Sequence, residues 1–251
     1  MDIKMFSIDI PFVKDGKTAK GTNCFDPKKT YLKTLNDLKL FEWNEKADGE
    51  CIQIVYEGEE GDGRIHTYGK TKDANLDAYL KDALEPFSTS YMEEYFEDKF
   101  KRKPFVLYAE GISPKNRGKM YGHKDRAKLI LFDVQNYGNK AFWTPDGVKD
   151  VVEGVNGISE METLTYVGDP FTASIEEVGN LLLAQPIQSQ FSACGVKTAI
   201  EGFVGRAKFN LRDNNGSRII TKVKVETLTG HGPDHAKAVL SYEEATARFR
   251  A

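Results

Sequence analysis

Glu45-Lys46-Ala47-Asp48-Gly49-Glu50 leads straight into Cys51-Ile52-Gln53-Ile54-Val55-Tyr56. The second half is rich in β-branched and aromatic residues, as strands are. The first half reads, on its own, as a polar turn feeding that strand. A second run of the same kind is Arg64-Ile65-His66-Thr67-Tyr68, and the residues between, Glu57 to Gly63, hold three glycines and Asp62. Such residues favour a turn, so 51–56 and 64–68 are expected to pair as a hairpin.

Outward from this hairpin the pattern alternates between periods. From Ala74 to about Phe100, apolar residues at Leu76, Tyr79, Leu80, Leu84 and Phe87 recur with helical spacing, and Pro86 interrupts them. One helix or two short ones is expected. Residues 104–109 and 127–135 read as buried strands, and Thr144-Pro145 opens a helix with proline at its first position. Thr172 or Ser174 is placed to cap the next helix. Strands are expected near 196–204 and 217–226, the second preceded by the hairpin-turn sequence Asp213-Asn214-Asn215-Gly216. Ser241-Tyr242-Glu243-Glu244 is a capping-box pattern for a terminal helix. Without a regular βαβ repeat, this order predicts an α+β fold with mixed, largely antiparallel sheets.

The chain has 251 residues, 40% of them hydrophobic, and a formal net charge of -3. That is enough for one sizeable core or two modest ones without metal or disulfide staples. No stretch approaches the roughly 18 apolar residues of a membrane span, and Met1-Asp2-Ile3-Lys4 lacks a signal peptide's apolar segment. A soluble, cytoplasmic protein with no membrane partner is expected. Cys24, Cys51 and Cys194 are odd in number and scattered, which suits a reducing compartment, and no CxxC metal spacing occurs. The net charge does not advertise nucleic acid, so any phosphate-binding surface must be local. The densest cationic stretch is Lys115, Arg117, Lys119, Lys124, Arg126 and Lys128, interrupted by Asp125 and expected to be a loop.

Four later segments give Glu45-Lys46-Ala47-Asp48-Gly49 its meaning. Tyr108-Ala109-Glu110-Gly111 ends a strand with a carboxylate, and Leu131-Phe132-Asp133-Val134 sets an aromatic ring within another. Glu201-Gly202-Phe203-Val204 supplies a second carboxylate beside glycine. Lys222-Val223-Lys224 puts two ammonium groups at i and i+2, on one face of a strand. In this order the segments resemble motifs I, III, IIIa, IV and V of the covalent nucleotidyltransferases, the polynucleotide ligase superfamily of RNA ligases, DNA ligases and mRNA capping enzymes. The resemblance spans Glu45 to Lys224.

It implies a ligase-type nucleotidyltransferase catalytic domain, ATP-grasp-like in fold, in which Lys46 attacks the α-phosphate of ATP. A lysine nucleophile must lose its proton, and nearby cations such as Lys222, Lys224 and a bound metal help it do so. The same two lysines would neutralise charge on the transferring phosphoryl group. The resemblance assigns Glu201 to a divalent cation, Mg²⁺ with Mn²⁺ able to take its place, and to the nucleotide. It assigns Glu110 to the ribose and Phe132 to stacking on the purine, and it counts Glu45 among the nucleotide contacts. Members also carry an arginine shortly after motif I, with a glycine close behind; here the candidate is Arg64, with Lys70 as its substitute.

After Gly49 the sequence departs from the family. Glu50-Cys51 replaces both the Thr/Ser-Asn of RNA ligases and the arginine two residues beyond glycine of DNA ligases and capping enzymes. The 27 residues after Lys224 are too few for the OB-fold that the last two groups append. Both features favour the compact RNA-ligase branch: a catalytic domain at 1–228, a short helical tail at 229–251, and a protein partner in place of the OB-fold. The expected reaction joins 5′-phosphate and 3′-hydroxyl ends of RNA or a nicked duplex through a lysyl-AMP intermediate. Its rivals are a minimal DNA ligase and a noncatalytic nucleotide- or nucleic-acid-binding module of the same fold. The 115–128 stretch is then a candidate phosphate-contact surface. Gly63 to Thr71 resembles a P-loop, but five residues instead of four separate its glycines. His231-Gly232-Pro233-Asp234-His235 contains residues that disfavour the helix needed to align a histidine pair, and reads as a tail loop.

Overall fold

In the computed structural model, which describes residues 12–17, 23–30, 32–58, 63–213, 216–237 and 239–250, the chain starts with an antiparallel pair, β1 (Phe12–Lys17) and β2 (Asn23–Thr30). The helix α1 (Lys33–Asp37) leads to β3 (Phe41–Glu45). The expected hairpin follows as β4 (Glu50–Tyr56) and β5 (Ile65–Tyr68), paired from Gln53 opposite Tyr68 to Tyr56 opposite Ile65. The helical stretch is indeed broken at Pro86: α2 (Ala78–Leu84) passes through a 3₁₀ turn, Glu85–Ser88, into α3 (Ser90–Phe100). Then come β6 (Phe105–Ile112), α4 (Gly118–Tyr121), β7 (Lys128–Asn136), α5 (Pro145–Ser159), β8 (Thr165–Tyr166) and β9 (Phe171–Thr172). The rest is α6 (Ile175–Ala184), β10 (Gly202–Ala207), β11 (Ile220–Lys224), α7 (Val225–Thr229) and α8 (Tyr242–Ala247).

The chain divides into two compact units, one built from Asp48–Val167 and the other from the described residues up to Ala47 and from Gly168 onward. In the first, the strand order is β5-β4-β6-β7-β8, antiparallel except where β7 meets β8. Alternate residues of a strand face opposite ways, so Ile52, Ile54 and Tyr56 share one face and pack with Phe105, Leu107, Leu80, Phe96 and Val151 in a buried core. Cys51, Gln53, Val55, Val106, Tyr108 and Glu110 share the other face through the β4–β6 register. One irregularity re-aims a side chain. Tyr108 pairs with Asp133 but Ala109 pairs with Leu131, leaving Phe132 as the extra residue of a bulge.

The second unit holds the sheet β11-β10-β3-β9, antiparallel throughout. Phe41, Trp43, Phe171, Phe203 and Val223 pack with Ile175 and Val178 of α6 and with Tyr242 and Ala245 of α8. The Trp43 indole N–H donates to the Ala173 carbonyl at 2.9 Å. Helix starts follow the capping residues: Thr144 caps α5 above Pro145, and complete capping boxes join Ser174 to Glu177 and Ser241 to Glu244. Ser174 is thus the cap, and Thr172 lies in β9.

Three expectations change. The strand near 196–204 begins only at Gly202; Thr198 and Ala199 are buried, but by a loop whose backbone bonds run from Ser189 N to Thr198 O at 2.7 Å and from Ile200 N to Ile187 O at 2.9 Å. These bonds make a single antiparallel bridge, Gln188 with Ala199, and burial accounts for the rest of the apolar pattern. The strand near 217–226 is shorter because Val225 N bonds Glu201 O at 3.0 Å and the chain turns into α7, ended by Gly230 at φ +76°. The basic stretch contains α4 and ends in β7, so it is not a simple loop. Of the predicted 213–216 turn, Asn214 and Asn215 lie outside the described residues, as do 59–62 of the first hairpin; Gly216 N still bonds Asp213 O at 3.0 Å. Among the described residues, no helix is long and apolar enough to cross a membrane.

At Gly202, β10 and β11 come close together: a Cβ there would lie 2.0 Å from the Val223 carbonyl oxygen, which is backbone and cannot swing away. Gly202→Ala is therefore expected to lower the unfolding free energy by about 2 kcal/mol through overpacking. Gly157→Ala, on α5 where an added Cβ meets nothing within 4 Å, should raise it slightly. Urea denaturation of both variants checks the pair.

Candidate active site

The β3–β10–β11 register gathers three of the expected residues. Phe203 pairs with Glu45 and Gly202 with Lys224, so Lys46 just beyond β3, Glu201 just before β10 and Lys224 at the end of β11 come to one place. Backbone bonds hold them: Lys46 N donates to Gly202 O at 2.9 Å and Val225 N to Glu201 O at 3.0 Å. The Lys46 ammonium lies 2.5 Å from Glu201 Oε2, and the Lys224 ammonium pairs with Glu201 Oε1. The three side chains are 21%, 15% and 23% exposed, shielded enough for the charges to matter yet open to a ligand. Burial alone would push the Glu201 carboxyl up, but Lys46 and Lys224 together outweigh it and hold it below the ordinary carboxylate value. Lys222 pairs with Val204 and alternates with buried Thr221 and Val223, so it shares the strand face of Lys224.

Glu45 is placed differently from the expectation. It is 2% exposed, and its carboxylate accepts from the Ser189 hydroxyl and, at 3.0 Å, from Gln190 N–H. Burial raises its pKa to about 7 despite these bonds. Its side chain therefore anchors the end of β3 inside the second unit. Nothing in the residue types near Ser189 signals that role.

In the first unit, Gly49 N donates to Glu110 Oε1 at 2.8 Å and Asp48 N to the Tyr121 hydroxyl at 3.2 Å. Asp48 also pairs with Arg117 at 3.1 Å, and Asn116 Nδ2 donates to Glu50 Oε1 at 3.2 Å. A Cβ on Gly49 would come within 2.4 Å of the Gly111 carbonyl oxygen, so the turn after Asp48 admits only glycine at that approach. Phe132, extruded by the bulge, is half-buried with its ring 6.5 Å from that of Tyr108. Cys51 lies opposite Glu110, and burial first and then the Glu110 charge push its thiol up to about 12.

Arg64 and Lys70 stand at opposite ends of β5. Arg64 is exposed beside the Tyr56–Ile65 pair, whereas Glu110 pairs with Cys51, roughly 17 Å away along β4 at strand spacing. Lys70 follows the other end of β5, where its charge acts on the Cys51 thiol and its carbonyl accepts from Gln53 Nε2 at 3.1 Å. The register thus brings Lys70, and not Arg64, to the Glu110 end of the sheet.

Among the described residues, no group of three or more His, Cys, Asp or Glu side chains is arranged to hold an ion, so Glu201 is not part of such a cluster. Each of its oxygens has one ammonium partner and keeps lone-pair capacity. This suits Mg²⁺ or Mn²⁺ bound by one carboxylate with nucleotide phosphates and water, and does not suit an all-protein cage.

No family model and no curated protein matches the sequence. Solved structures do. A mutant of Naegleria gruberi RNA ligase with AMP and Mn is 16% identical, with a TM-score of 0.56 over 89% of this chain and 62% of that one. Another mutant of the same ligase with ATP and Mn gives 16% identity and 0.56 over 92% and 64%, and an apo mutant gives 16% and 0.54 over 92% and 64%. The fold is similar to that of these RNA ligase structures. The chain spans just under two thirds of the length of those ligase chains.

The raised Glu45 value fixes a pH dependence. The folded state holds this proton more tightly than the unfolded chain, so its stabilising contribution is complete below about pH 4.5 and is lost as pH rises through about 7. Between those limits the stability of the wild type relative to Glu45→Gln should fall by on the order of 3 kcal/mol. Chemical denaturation of both proteins across that range checks it; parallel pH profiles would contradict it.

Proposed function

We propose that the protein is an ATP-dependent RNA ligase that joins 5′-phosphate to 3′-hydroxyl ends through a lysyl-AMP intermediate on Lys46. The observation that carries this reading is the Glu201 carboxylate held between the ammonium groups of Lys46 and Lys224. A surface ion pair explains neither the second lysine nor the partial burial of all three groups. A site that handles a polyphosphate needs this arrangement: a nucleophile, a charge that keeps it in place, and a cation for the developing phosphoryl charge.

In the first step Lys46, having lost a proton, attacks the α-phosphorus of ATP; the P–N bond forms, the bond to the bridging oxygen breaks, and pyrophosphate leaves. Lys224 and Lys222 neutralise the equatorial oxygens of the phosphoryl group in passage. Glu201 orients Lys46 before attack and would hold the divalent cation, whose chemistry is charge neutralisation on the phosphates. Glu110 receives the ribose and Phe132 offers a flat apolar face to the purine. In the second step a 5′-phosphate oxygen of RNA attacks the AMP phosphorus and releases Lys46. In the third, a 3′-hydroxyl attacks the activated 5′-phosphate, the phosphodiester forms and AMP leaves.

Incubation with α-labelled ATP or GTP and a divalent cation, followed by denaturing electrophoresis, tests the first step. Label from ATP that resists denaturation and is absent in Lys46→Ala is the expected result, and Glu201→Gln should lower the labelling rate at least ~100-fold. Label from GTP alone would indicate guanylyl transfer, and no label from folded protein would indicate a noncatalytic binding module. Sealing RNA 3′-hydroxyl ends in preference to DNA ends completes the reading; the opposite preference would make the protein a DNA ligase.

A further inference from the structure

Between Ser113 and Arg126 the sequence carries five cations against Asp125 alone, in a chain whose net charge is -3. The segment is folded, not loose. Gly118 N bonds Ser113 O and His123 N bonds Gly118 O, both at 2.7 Å, and the Ser113 hydroxyl donates to Asp77 Oδ2. Tyr121 is 2% exposed, and a Cβ on Gly118 would lie 2.6 Å from the Ser113 carbonyl, so the fold of this segment is tight. Its inner groups hold the turn that follows Lys46 in the chain: Tyr121 accepts from Asp48 N, Asn116 donates to Glu50, and Arg117 pairs with Asp48.

Its outer groups are cationic. Lys115, Lys119 and Lys124 are exposed and make no ion pair with any described residue, and Arg126, also exposed, acts on the Glu162 carboxyl. Arg117 is already committed to Asp48, so the three lysines carry the surface charge. Three exposed ammonium side chains on one folded segment, without an ion pair to any described residue, set up a local positive potential to which an external polyanion is drawn.

We infer that Lys115, Lys119 and Lys124 form the contact surface for the phosphate backbone of the RNA strand whose end is to be joined. The inference rests on the ligase reading for the identity of that polyanion. The frame under these lysines is bonded to Asp48 and Glu50, so a strand lying on it is registered against the residues that directly follow Lys46. Backbone phosphates at three contacts supply affinity and position but no sequence preference.

The test compares Lys115→Glu/Lys119→Glu/Lys124→Glu with a control of equal charge change at exposed positions, Lys103→Glu/Lys149→Glu/Lys197→Glu. Binding of a 5′-phosphorylated RNA is followed by fluorescence anisotropy at several salt concentrations, and nucleotide transfer onto Lys46 from labelled ATP is read in the same preparations. The first variant should bind at least ~10-fold more weakly at low salt, with the log–log salt slope reduced by about 2–3. The control should bind as the wild type does, and both should accept AMP normally. Equal binding by the two variants overturns the inference. RNA binding that depends on these lysines in a protein that never accepts AMP sustains the surface and rejects the ligase reading instead.

Discussion

One carboxylate between two ammonium groups organises the second unit. Glu201 stands just before β10, Lys46 just beyond β3 and Lys224 at the end of β11, and the three meet only if all three strands keep their register. That register depends in turn on Gly202, whose missing side chain lets the Val223 carbonyl approach, and on Gly205, where a Cβ would sit 2.7 Å from the Trp43 ring. A glycine pair in β10 thus lets a fully buried tryptophan pack on one side while the neighbouring strand end comes close on the other. The buried Glu45, tied to Ser189 and Gln190, fixes the residue before Lys46 from within. Lys46 is held by its backbone, its neighbour and its ion pair, so on the proposed reaction little motion would remain to be lost when a nucleotide binds.

The first unit applies the same economy of small residues. Gly49 admits the Gly111 carbonyl and donates its N–H to Glu110, so the turn after Asp48 and the carboxylate expected to meet the ribose are one hydrogen-bonded piece. The bulge at Phe132 turns that ring toward Tyr108, where strict alternation would have sent either Phe132 or Asp133 to the helix-covered face. On the proposed function this bulge would set the ring that stacks on the purine, a placement that bulges beside active sites commonly have.

The order of the motifs was legible because each needs a particular residue type beside a strand end: a lysine before Asp-Gly, a glutamate before glycine, paired lysines at i and i+2. The hairpin at Gly58 to Gly63, the break at Pro86 and the caps at Thr144, Ser174 and Ser241 were legible from local chemistry alone. Strand limits near 196–204 were not, because Thr198 and Ile200 are buried around a single bridge, Ala199 with Gln188, which an apolar pattern cannot distinguish from a full strand. Arg64 and Lys70 flank β5, and only the register with β4 reveals that Lys70 lies nearer to Glu110. Glu45 was legible as a motif residue yet not as a buried anchor, since its partners Ser189 and Gln190 lie far along the chain and carry no signature. The basic stretch was visible as charge; that its inner side bonds Asp48 and Glu50 was not.

The central claim is that Lys46, and no other lysine, accepts the nucleotide. Peptide mapping by mass spectrometry, after incubation with ATP and a divalent cation, tests it most directly. The account predicts one added AMP on the peptide containing Lys46, bound through an acid-labile P–N linkage, and none on the peptides containing Lys222 or Lys224. AMP on any other residue, or an unmodified Lys46 peptide in a protein that seals RNA, would contradict it.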